Sequence, residues 1–311
     1  MELEISAIEA GLRTLHTDGP RRAVTEHILA LADQAGCGAA LIDAVAQGHT
    51  AAAVITWPQF AQMVRAAARG LSRRGLGEGD TAGIFVDDAG SHAVAVHAVR
   101  AAGAIAAPVR PAQSAADIAA ELKERRARLL ITSAGLAEVA IEAAERSWVR
   151  QVYAFGEAEG TTPFGSLLET PRLANGTSGH NGCNGHSGPT AVEQASELLP
   201  GLALTGLGPE GLRPEGLGPD GLAPDRAVPQ LIRRPVPRLT CRDVVLATPP
   251  CGDPDAYTSL LDLALAVGAT IVAVPLARVT TAVGVYQGTA AIVPRGTEVP
   301  GLPAGRVLAV G

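Results

Sequence analysis

The chain has 311 residues, room for two domains or one large α/β domain, and 47% of them are apolar while only 3% are aromatic, so a core has to be assembled from Ala, Val, Leu and Ile. A net charge of −6 argues against a surface built for nucleic acid, and no stretch approaches the ~20 apolar residues of a membrane span. Cys37, Cys183, Cys241 and Cys251 have no framework spacing, which argues against a stapled secreted fold, and the amphipathic, partly acidic start Met1 to Arg22 has no apolar signal core. The expectation is a cytoplasmic protein, in which the sequon Asn175-Gly176-Thr177 is without consequence.

In chain order, residues 25–35 place apolar side chains at helical spacing with Gly36 as a stop. Residues 40–45 and 52–56 read as short strands around a turn at Gln47-Gly48-His49. Thr56 then caps a helix that carries Pro58 in its first turn and ends at Gly75. An alternation follows: strands at 81–86, 104–109, 128–133 and 150–155, separated by helices at 91–103, 114–127 and 135–147. Ser114 caps the second of these helices, with Asp117 completing a capping box. Apolar strands joined by single helices predict βαβ crossovers and a parallel sheet covered on both faces. The pattern returns with a strand at 243–250, a helix at 255–268, a strand at 269–275 and two strand-like pieces near the end.

Residues 171–238 interrupt this series. Four consecutive units of Gly-Leu-x-Pro-acid run from Gly206 to Asp225. Proline every fifth residue removes a backbone donor, and glycine at the same period adds freedom that is costly to freeze, so the segment reads as a low-complexity loop or linker. The expected organisation is an α/β block at 1–170, the Gly/Pro-rich loop at 171–238, and a second, incomplete α/β block at 239–311.

Several residues carry a possible chemistry. His180, Cys183 and His186 are metal-competent at three-residue spacing, but no fourth ligand is near and such spacing arises easily in a polar run. Gly75-Leu76-Gly77-Glu78-Gly79-Asp80 lies after a helix and before a strand, the reverse of a dinucleotide loop, and reads as a helix stop and turn. His92 and His97 lie five apart on one helix and read as ordinary helix residues. Asp87 and Asp88 read as turn or helix-dipole partners. Arg233, Arg234 and Arg238 form a basic cluster at the loop's exit, read as solvated. There is no Gly-x-Ser-x-Gly elbow.

The run from Thr56 to Ser133 resembles the N-terminal region of the adenylate-forming (AMP-binding) ligases, within them the acyl-CoA synthetases of 4-coumarate–CoA ligase type. The matching features are Thr56-Trp57, the turn Gly75 to Gly79-Asp80, Arg100 to Ala104, and Arg110-Pro111. The stretch from Leu239 to Pro275 is similar to the strand, helix and strand that follow the family's phosphate-binding loop. The resemblance implies an α/β fold with a mostly parallel sheet and helices on both faces.

The departures carry as much information. In the family a Ser/Thr/Gly-rich loop with a lysine separates these two stretches and neutralises ATP phosphates. Here the nearest pieces, residues 175–179 and 202–211, contain no lysine, and Lys123, the only lysine in the chain, lies in a helix upstream. Arginine binds phosphate but is not an equivalent replacement. The chain also ends before the family's adenine- and ribose-binding motifs and before its second catalytic lysine. Where the family has an aromatic and a histidine on the acyl site, this chain has Cys251, Gly252 and Asp253, and an aspartate there opposes an apolar acyl chain. The expectation is a truncated, catalytically inactive homologue with a binding or scaffolding role. No residue is assigned a catalytic, cofactor-binding or metal-binding part, no cofactor is expected, and the partner is a protein or a second copy. The alternative is an acyl-adenylating half-enzyme, using ATP and coenzyme A, that needs a separate C-terminal partner.

Overall fold

A computed structural model describes residues 19–44, 53–110, 113–169 and 239–311. The Gly-Leu-x-Pro-acid array, the His180/Cys183/His186 motif, the arginines at 233, 234 and 238 and the turn at 47–49 lie outside the described residues.

The first described helix, α1, is Gly19–Gln34. Strands β1 (Ala39–Asp43) and β2 (Ala53–Thr56) pair antiparallel. Thr56 then caps α2 (Trp57–Arg73): its hydroxyl accepts from Gln59 N while the Gln59 side chain takes the Thr56 N–H, a reciprocal box that satisfies two helix-end donors. Gly75 and Gly79, at φ of +84° and +79°, make the turn that follows, and Asp80 accepts from Gly77 N at 3.1 Å. This is the helix stop and turn that the sequence implies.

Next come β3 (Thr81–Phe85), α3 (Ala89–Ala101), β4 (Ile105–Pro108), α4 (Ala115–Glu124), β5 (Ala127–Ser133), α5 (Ala137–Glu145), β6 (Gln151–Phe155) and the two-residue β7 (Thr162–Pro163). Asp88 caps α3 by accepting from Ser91 N at 2.7 Å, and Ser114 caps α4 through Asp117 N at 3.2 Å. After residue 238 come β8 (Val244–Ala247), α6 (Pro254–Ala266), β9 (Thr270–Ala273), α7 (Val279–Val285), β10 (Ala290–Pro294) and β11 (Val307–Val310). Helix α7 has no counterpart in the sequence reading.

The fold class is α/β with mostly parallel strands and flanking helices, but the strands divide between two sheets rather than forming one. One sheet has the order β4-β3-β5-β6-β7, all parallel. The other has the order β11-β10-β8-β9-β1-β2, parallel except for the β1–β2 hairpin. The hairpin comes from the first sequence block and completes the sheet of the second, with Leu41 to Asp43 beside Ile271 to Ala273.

Three apolar layers hold the sheets together. The largest lies between them and is filled by α1, α2, α3 and α6, with Ile28, Phe60, Val64, Leu71, Val96 and Leu261 essentially inaccessible. A second joins α4 and α5 to the outer face of the five-stranded sheet through Ile118, Leu122 and Leu130. The third places α7 on the outer face of the six-stranded sheet through Val279 and Ala282. No described helix is long and apolar enough to cross a membrane.

One glycine fixes a close approach inside the central layer. A Cβ at Gly70 of α2 would overlap the carbonyl oxygen of Leu167 in the turn after β7. Gly70→Ala is expected to lower stability by about 1–3 kcal/mol, the usual cost of overpacking a core. Urea unfolding should give a lower midpoint with an unchanged m value, while Ser72→Ala on the exposed face of the same helix leaves the midpoint in place.

Candidate functional site

Strands β8, β9 and β10 are parallel and adjacent, with β8 in the middle. The chain leaves β8 through α6 and returns as β9 on one side, then crosses through α7 to β10 on the other. The two helices lie on opposite faces of the sheet. A point of divergence of this kind opens a crevice beyond the carboxyl ends of the strands.

The loop from Thr248 to Asp253 forms its floor. Thr248 is tied to β10, its N–H and hydroxyl both donating to Ile292 O at 3.1 Å. The buried Tyr257 hydroxyl donates to Thr248 O at 2.6 Å. Gly252 has φ of +60°, and a Cβ on it would stand 2.7 Å from Gly311 N, so only glycine lets this loop lie against the end of β11. Asp253 caps α6, accepting from Asp255 N at 2.9 Å and Ala256 N at 3.1 Å. Its carboxylate is thus engaged by the helix start.

A hollow of about 770 Å³ lies over this loop, with Cys251, Gly252, Asp253 and Gly311 on one side and Arg110 and Arg125 on the other. A second hollow of about 870 Å³ runs along edge strand β4 and α4. Arg110, Glu121, Arg125 and Asp255 line both. The residues after β8 that the sequence suggested for a pocket wall do line the crevice. Lys123 stands exposed in the last turn of α4 and lines neither hollow.

The charges in the crevice are largely paired with one another. Asp255 accepts from Arg21 of α1 at 3.2 Å and lies 3.9 Å from Arg125, which pairs with Glu121 at 3.2 Å. The ladder Arg21–Asp255–Arg125–Glu121 therefore spans the crevice from α1 through α6 to α4. With its amide oriented to suit both neighbours, Gln113 accepts from Arg110 and donates to Glu121. Burial pushes the Cys251 thiol up, with the Thr248 hydroxyl opposing, so it is a protonated and poor nucleophile at neutral pH. Burial likewise pushes the Asp88 carboxyl up at the start of α3. Among the described residues no group of three His, Cys, Asp or Glu side chains is placed to hold a metal ion.

Beneath the crevice lies a buried polar network. The Thr258 hydroxyl donates to Pro254 O at 2.7 Å, so His92 Nε2, 2.8 Å away, must donate to Thr258. His97 Nδ1 is 2.9 Å from the Thr25 hydroxyl, and its Nε2 is 3.5 Å from Asp262. Arg100 donates to Asp262 at 2.8 Å. His92 and His97 are helix residues, as the sequence implies, and both are buried and bonded to other elements. Helix α3 is covered all round, so their spacing of five does not put one of them in solvent. Sequence reading also missed Arg21, Glu121, Arg125 and Asp255. Each is a charged residue on a helix, and nothing local distinguishes it from a solvated one.

Burial holds both imidazoles neutral, pushing His92 down to about 3 and His97 down to about 4, with Asp262 opposing. In the unfolded chain each takes a proton near pH 6.5, whereas the folded chain resists until well below that. Stability from these groups is complete above about pH 6.5 and falls as pH drops toward 4, by up to about 1.4 kcal/mol per pH unit per imidazole. Subtracting the pH profile of a His92→Gln variant from that of the wild type, by urea unfolding, is expected to leave this slope. A flat difference between about pH 4.5 and 6 contradicts the neutral assignment.

Residues 36–172 match the AMP-binding enzyme family. No curated relative matches the chain. Among solved structures, a long-chain-fatty-acid–CoA ligase from Archaeoglobus fulgidus matches with 15% identity and a TM-score of 0.58, over 87% of this chain and 51% of its own. A benzoate CoA ligase from Burkholderia xenovorans LB400 matches with 18% identity and a TM-score of 0.57, over 92% and 54%. The amide bond synthetase McbA from Marinactinospora thermotolerans matches with 16% identity and a TM-score of 0.54, over 87% and 49%. At these identities the likeness concerns the fold. The chain spans about half the length of the solved structures it matches.

Proposed function

On the premise that residues 36–172 belong to the AMP-binding enzyme family, we propose that this chain is a catalytically silent member whose crevice binds a partner or ligand without activating it. The observation that supports this reading is the pairing of the crevice charges. Adenylate formation places a triphosphate in the site, and the attack on it requires preorganised positive charge free to meet developing negative charge. Here Arg21 and Arg125 already face Asp255 and Glu121, and the chain's one lysine is exposed outside the crevice. Among the described residues, Arg110, exposed at the junction of the two hollows and held by Gln113, is a single cation and not a cradle.

A second reading is a half-enzyme that forms an acyl-adenylate only with a separate C-terminal partner. It is supported by the match of residues 36–172 to the AMP-binding enzyme family. Its cofactors would be ATP and coenzyme A.

Incubating the chain with ATP, coenzyme A and a panel of fatty and aromatic carboxylic acids is expected to release pyrophosphate no faster than a protein-free blank. Clear turnover removes the silent reading. Calorimetry with ATP separates the two: no heat of binding agrees with the first reading, and weak saturable binding favours the second.

A further inference from the structure

We draw no further inference here: the strongest candidate, the surface patch of exposed Arg69, Arg73 and Arg74 at the C-terminal end of α2, carries nothing, because nothing in the structure shows what covers it.

Discussion

Helix α3 is enclosed on every side. It packs against both sheets and against α1, α2 and α6, so every polar group it carries has to be satisfied by another element. His92, His97 and Arg100 are met by Thr258, Thr25 and Asp262, with Arg100 Nε left without a partner among the described residues. An unpaired charge at this depth costs several kcal/mol, of the order of 3–5 when one member of a buried pair is lost. The seating of α1 and α6 on α3 is thus fixed by a few directional bonds as well as by apolar contact. The crevice inherits that geometry, because α6 begins at its floor.

Much of the fold could be read along the chain because it rests on local signals. Thr56 and Ser114 precede helices that they cap, Asp88 caps α3, and Gly75 and Gly79 have the positive φ that their turn needs. Apolar runs marked β1 to β6 and β9 within two residues, overran the end of β8 by three, and gave no sign of β7. Which sheet a strand joins is not a local property. Alternation of strand and helix identifies βαβ units, and nothing in residues 39–56 announces that their hairpin pairs with β9, where Thr270 bonds Ala39 O across 231 positions. Helix α7 was illegible for another reason. Val279 to Val285 is rich in β-branched residues that do not favour helix, and it folds as one because Val279 and Ala282 find a face of the sheet to cover.

The candidate site was less legible than the fold. Cys251, Gly252 and Asp253 were placed at a pocket wall through resemblance, and they line the crevice, but Asp253 spends its carboxylate on the start of α6. The residues that set the crevice's electrostatics come from three helices far apart in sequence, with Arg21 and Asp255 separated by 234 positions. A charged residue on a helix reads the same whether it faces water or an opposite charge on another element. Burial could not be inferred for His92 and His97 either, because α3 is hydrophobic enough all round that no face is marked as the outside.

Helix α6 links the two levels. Asp255, Thr258 and Asp262 follow one another at i, i+3 and i+7, which sets them along a single stripe. Asp255 meets Arg21 at the crevice, Thr258 meets His92 one turn deeper, and Asp262 meets His97 and Arg100 below that. The neighbouring stripe, Tyr257, Leu261 and Leu265, is apolar and belongs to the central layer. Apolar packing alone tolerates sliding or rotation of a helix at modest cost, whereas a stripe of paired polar groups loses several bonds at once if the helix shifts by one residue. The position of Asp255, and with it the pairing of Arg21 and Arg125, is therefore tied to partners buried two turns away. A charge change at the crevice mouth and one at Asp262 act on the same helix seat, and their effects are not expected to be independent.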